Sequence, residues 1–128
     1  MPNLLNNAFF WQKIDTIFSS NKLIITKKKD ECHSVYKNLR YPVDYGNLDD
    51  TLPENSGISV FTGSAKAAFV ESIIVAADIL KKDIEVKLLI GCTPEEELTI
   101  LEFLNQTEFQ KGILIRRGDD IPAWAISE

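Results

Sequence analysis

The sequence predicts a mainly β fold with flanking helices, an α+β domain whose short strands curl into a small barrel or sheet. Three observations carry this expectation. Short β-branched and apolar runs recur between turn-forming clusters, an apolar stripe at three- and four-residue spacing marks a helix near the start, and Thr93-Pro94-Glu95-Glu96 marks another. A chain of 128 residues is the size of one domain, 1–128, and short of two.

The first helix is expected over about residues 3–18, where Leu4, Leu5, Ala8, Trp11, Ile14 and Phe18 fall on one face. Ser19-Ser20-Asn21 breaks that pattern, and Lys22 to Thr26 is short, apolar and β-branched, which suits a strand. Lys27 to Ser34 mixes both signs of charge without a hydrophobic period and reads as an exposed connection. Further strands are expected at Arg40 to Tyr45, Ile58 to Thr62, Phe69 to Ile79, Ile84 to Gly91 and Ile113 to Ile115. Turns at Pro53 to Gly57 and Lys81 to Asp83 separate some of them. The second helix is placed at 94–105: Thr93 caps it, Pro94 opens it and Glu96 completes a capping box. Leu98, Leu101 and Leu104 are its expected buried stripe, while Glu95, Glu96 and Glu97 complement the helix dipole.

Composition narrows the function. Fourteen basic against nineteen acidic side chains give a formal charge of -5, which argues against nucleic acid as a partner because phosphate neutralisation needs surplus Lys and Arg. No apolar run approaches the roughly 18–20 residues of a membrane span, and Met1 to Asn7 lacks a basic signal region. A cytoplasmic protein without a membrane partner is expected. Cys32 and Cys92 sit in no zinc-spaced cluster and are expected as free, buried thiols. His33 is the only histidine and neighbours Cys32; adjacent residues seldom face each other, so an exposed loop histidine is the expectation. Gly57 and Gly63 match neither phosphate-loop nor dinucleotide spacing.

What remains is a set of polar side chains on strand ends and turns: Lys29, Tyr36, Tyr41, Tyr45, Glu54, Asp83, Glu85, Lys87 and Lys111. Asp83, Glu85 and Lys87 alternate with Ile84 and Val86, so a strand projects all three to one face. That face suits magnesium beside a phosphate, or a solvated strand with Glu85 and Lys87 paired at its surface.

Arg40-Tyr41-Pro42-Val43-Asp44-Tyr45-Gly46 through Thr51 resembles the Tyr-Pro-x-x-Tyr-Gly signature of soluble family I inorganic pyrophosphatases. Glu54 to Val60 is similar in position to that family's aspartate-rich metal motif, and Asp83 to Leu89 resembles its later acidic segment. Ile90-Gly91-Cys92-Thr93 and Lys111 to Arg117 resemble runs of a short, divergent bacterial branch, so the likeness covers roughly Leu23 to Arg117. The resemblance implies a five-stranded, partly closed barrel of the OB type and magnesium-dependent hydrolysis of pyrophosphate to phosphate. It implies Tyr45 and Lys87 as catalytic residues, Glu54, Asp83 and Glu85 as metal ligands, and Lys29, Tyr36, Lys87 and Lys111 as substrate-binding residues. Ser56 and Ser59 stand where the family has metal-site aspartates, Thr26 and Val35 replace an acid and a basic residue, and Phe109 replaces a tyrosine. Serine supplies no charge, so hydrolysis is expected to be weakened or lost. The alternative is a noncatalytic barrel that binds pyrophosphate or another phosphorylated small molecule, or a protein partner, or assembles with itself as a homo-oligomer.

Overall fold

The structure is a computed structural model and describes residues 8–33, 38–48, 58–65 and 69–117. Its elements run α1 (Ala8–Ser19), β1 (Leu23–Lys27), β2 (Asp44–Leu48), β3 (Ile58–Thr62), β4 (Val70–Asp78), β5 (Asp83–Ile90), α2 (Pro94–Leu104) and β6 (Gln110–Arg116). Among the described residues the strands form one six-stranded mixed sheet in the order β1-β2-β3-β5-β4-β6, in which only the β3–β5 pair is parallel.

This is a mainly β, α+β fold, as expected, but the sheet is open, which corrects the five-stranded partly closed barrel. The reason lies at its two edges. β1 has five residues, pairs among the described residues with β2 alone and is bulged between Ile25 and Lys27. The far edge of β4 is taken along most of its length by β6, which runs over seven residues rather than the three expected at Ile113 to Ile115. With β4 already paired on both sides, β1 has no edge there to close onto.

Each face of the sheet carries a helix. α1 buries Trp11 with Leu48, Val60, Val70, Ile73, Leu88 and Ile90, and Ala8, Ile14 and Phe18 pack around them, so the described part of the expected stripe holds; Leu4 and Leu5 lie outside the described residues. α2 covers the opposite face, where Ile100 and Leu104 join Phe61, Ile74, Leu89 and Cys92. Its buried stripe differs from the expected one: Leu98 is 52% exposed, and Glu97, Ile100 and Leu104 point inward. Glu97 is satisfied there by Ser72 Oγ at 2.6 Å and Arg116 Nε at 2.8 Å, which explains how a carboxylate displaces a leucine from the buried face. The capping box at Thr93 and Glu96 is formed as expected.

On the α1 face, Asp15 is buried and its carboxylate takes hydrogen bonds from Arg117 Nη2 at 2.6 Å and the Val70 backbone N–H at 2.9 Å. Helix, start of β4 and end of β6 are thereby tied at one point. The Arg117 guanidinium also lies over the rings of Trp11 and Phe69.

The expected strand Arg40 to Tyr45 begins later, at Asp44, because residues 39–41 pair back onto the preceding connection instead. His33 N–H donates to Leu39, Tyr41 N–H to Glu31, and Cys32 bridges Arg40. The connection is therefore folded against the body. Gly46 lets β2 approach β1: a Cβ there would stand 2.1 Å from the Ile24 carbonyl oxygen. Gly91, at φ +65°, ends β5 in a left-handed turn.

Candidate anion site on the sheet face beneath α2

The register of β5 against β4, Lys87 opposite Ile74 and Glu85 opposite Ala76, puts Asp83, Glu85 and Lys87 on the α2 face. The parallel pairing sets Ser59 of β3 beside Lys87, and β2 brings Asn47 opposite Ser59 and Tyr45 one pleat further along. Tyr45 donates its hydroxyl to Ser59 Oγ at 2.8 Å, and the Lys87 ammonium lies 5.8 Å from the Tyr45 ring centroid. Glu85 is held between two ammonium groups, Lys87 at 3.0 Å and Lys81 at 3.1 Å. Partial burial works to raise the Glu85 pKa, yet Lys87 and Lys81 together hold it below the usual carboxylate value.

Lys81 is aimed by its turn. Asp78 Oδ1 accepts the backbone N–H groups of Leu80 and Lys81 at 2.9 and 3.0 Å, and Lys82 adopts φ 58°, folding the β4–β5 connection back toward β5. The hydrogen bond to Glu85 raises the pKa of Lys81, against a smaller desolvation effect.

Tyr45, Ser59, Lys81, Asp83 and Glu85 line the polar side of a cavity of about 740 Å³. Among the described residues β3 pairs with β5 only from Ser59 and Lys87 onward. The cavity thus passes round the free edge of the first half of β5 and reaches Phe10, Ile14 and Ile17 of α1 and Ile84 and Val86 on the other face. Its size lies within the range of small-ligand sites.

An aromatic stack backs the polar side. Tyr41 lies 5.1 Å from Tyr45 and 5.9 Å from His33, both stacked, while Phe61 supports Tyr45 at 4.8 Å. Burial, with a smaller contribution from Tyr45, pushes the Tyr41 phenol up to about 12. His33 is half-buried and stacked, where the sequence led us to expect an exposed loop residue. Burial and the charges of Lys27, Lys81 and Lys87 lower its pKa, which favours the neutral imidazole. Both thiols are free, but of the two expected as buried Cys32 is only partly so. Cys92 is buried, and burial together with Glu96, Glu71 and Glu97 pushes it up to about 12, which leaves it unreactive.

Of the residues singled out from sequence, Tyr45, Asp83, Glu85 and Lys87 are brought together. Lys29 is elsewhere: its backbone N–H donates to Asp44 Oδ1 at 2.9 Å, and its charge acts on Glu96 at the start of α2. Lys111 sits on edge strand β6 with its ammonium on the Asn105 carbonyl at 3.0 Å, closing the end of α2. Tyr36 and Glu54, with Ser56, Val35 and Thr51, lie outside the described residues. Lys81 is the site residue that sequence reasoning missed, and His33, outside the cavity wall and stacked on Tyr41 behind it, is the neighbour whose burial it missed. Turn composition located Lys81 without giving its side chain a direction, and the charged neighbours of His33 masked the pairing that buries it.

Among the described residues no group of three or more His, Cys, Asp or Glu side chains is arranged to hold a metal ion. Asp83 and Glu85 offer two carboxylates, Glu85 is engaged by two cations, and Ser59 is neutral. The described donors therefore do not fit a resident magnesium centre. No helix among the described residues is long and apolar enough to cross a membrane. No protein-family model matches the chain, and neither does any curated protein.

Proposed function

We propose that this chain is an inorganic pyrophosphatase-like protein that recognises pyrophosphate, or a related phosphorylated small molecule, at the Lys87–Lys81–Tyr45 cluster, with hydrolysis reduced to a residue. The observation that carries the reading is the pair of ammonium groups converging on one carboxylate at the cavity wall. Glu85 occupies the place a phosphate oxygen would take. An incoming anion displaces it, accepts charge-assisted hydrogen bonds from Lys87 and Lys81, and takes a further one from the Tyr45 hydroxyl turned away from Ser59. Lys87 is held ready for this because its side chain is only 7% exposed and has little freedom to lose.

Turnover asks for more than binding. In-line attack by water needs a base and compensation for the charge developing on the leaving phosphate. Ser59 supplies neither charge nor a base at neutral pH, and Asp83, whose charge acts on Lys81 from a distance, forms no ion pair among the described residues. Phosphate release from pyrophosphate, with and without magnesium, tests the reading against a Lys87→Ala control. Slow or absent release together with measurable pyrophosphate binding is expected; rapid metal-dependent release, or no binding at all, would overturn it.

A second reading, self-assembly, is favoured by one observation. On the α1 face, Ile113, Val75 and Val86 share a register row next to Ala77 and Ile84, and Ile84 and Ile113 are 71% and 62% exposed beside Phe10 and Ile17 of α1. Such a patch is a common feature of interfaces between copies. Sedimentation over a concentration series checks it: association abolished by Ile84→Lys supports the reading, and a monomer at all concentrations rejects it.

A further inference from the structure

Beside the anion site lies a second cavity of about 270 Å³, between the C-terminal end of α2, the β4–β5 turn and the His33 connection. Three observations join it to the first. Lys81 lines both. Tyr41 stacks on Tyr45 at 5.1 Å and on His33 at 5.9 Å, so the two cavities share an aromatic partition. The imidazole also senses the charges of Lys81 and Lys87.

The second cavity has different chemistry. Its walls are the His33 ring and the Phe103 ring, 6.1 Å apart and inclined at 52°, with Leu39 and Leu80. Its polar lining is mixed: Lys81, Thr107 and His33 bring donors, while Asp78 uses Oδ1 on the turn and Gln110 uses Nε2 on the Leu104 carbonyl, which leaves Asp78 Oδ2 and Gln110 Oε1 as acceptors without a donor among the described residues. A flat ring bearing N–H donors satisfies both features, stacking on the aromatic wall and donating to the two oxygens. Pyrophosphate alone has nothing to place there.

We infer that the His33–Phe103 cavity is the subsite for the organic part of the ligand, and that the ligand class is a purine nucleotide carrying a diphosphate, its phosphates on Lys87 and Lys81 and its base against His33. The inference rests on the anion reading above and adds a substrate class to it. Lys81 stands at the junction, where a sugar links the two parts.

Calorimetric titration with pyrophosphate, ADP and adenosine separates the two claims. ADP is expected to bind more tightly than pyrophosphate. His33→Ala is expected to weaken ADP by roughly 5- to 100-fold, the usual effect of removing a base-stacking side chain, and to leave pyrophosphate unchanged. Phe103→Leu, which keeps an apolar side chain on α2 against the core, is the second variant and should act in the same direction. Lys87→Ala should weaken both phosphorylated ligands. ADP binding no tighter than pyrophosphate, or an ADP preference that survives both ring substitutions, overturns the subsite while the anion site stands. Adenosine binding that is lost in His33→Ala, with no pyrophosphate binding, keeps the cavity but overturns the nucleotide diphosphate assignment and the anion reading with it.

Discussion

Replacing Glu85 by glutamine distinguishes an anion site from a metal site. In the structure the carboxylate spans two ammonium groups at 3.0 and 3.1 Å, with its own side chain 36% exposed and that of Lys87 7% exposed. A pyrophosphate must displace it from both. Exposed pairs are worth about 0.2–1 kcal/mol each, and solvent screening at Glu85 keeps the Lys81 pair near that range while the buried Lys87 end raises the other. Removing the competing charge, and its repulsion of the incoming anion, should therefore tighten pyrophosphate binding by about 1–2 kcal/mol, or roughly 5- to 30-fold. The amide oxygen still accepts one hydrogen bond from Lys87, so the fold should lose on the order of 1–3 kcal/mol and remain assembled at room temperature. Titration calorimetry at fixed ionic strength without magnesium reads the affinity, and thermal unfolding monitors the fold. Weaker binding by a folded Glu85→Gln protein would refute the displacement argument and point to Glu85 as a direct ligand.

Two further outcomes follow from the same contacts. Asp15→Asn removes the negative partner of a buried guanidinium whose Nη1 has no hydrogen-bond acceptor among the described residues, so urea unfolding should show a loss of about 3–5 kcal/mol, most of it recovered in an Asp15→Leu, Arg117→Met double variant. Glu96 shows the acid dependence: burial works to raise its pKa, but the N–H groups of Thr93 and Ser64 and the charge of Lys29 bring it below the ordinary 4.5. Its stabilising contribution is then complete above about pH 4.5 and disappears as pH falls through the lower folded-state value; the stability gap between the wild type and Glu96→Ala, roughly 0.5–2 kcal/mol at pH 7, should close on acidification.

How much of this was legible in the sequence depended on whether a local pattern sets the feature. The capping box of α2 and the strand Ile58–Thr62 are local, and the structure has them where the residues place them. So is the alternation that sends Asp83, Glu85 and Lys87 to one face. The open sheet was not legible, because a three-residue apolar run says nothing of how far β6 extends once β4 offers it an edge. Nor was the burial of Glu97 in place of Leu98, which depends on Ser72 and Arg116 arriving from two other strands. The candidate site divides the same way. Side chains on adjacent strands, Tyr45, Ser59 and Lys87, come together because strand register sets their neighbours, whereas Lys29 and Lys111, on a loop and an edge strand, found nearer partners at the two ends of α2.

Pyrophosphate is proposed to bind at the meeting of β2, β3 and β5. Amide chemical-shift mapping during a pyrophosphate titration addresses it residue by residue. Saturable shifts concentrated at Tyr45, Ser59, Lys81, Glu85 and Lys87 and absent in Lys87→Met are expected; shifts clustered instead around Lys29 or Lys111, or no saturable shifts in the wild type, would overturn binding there.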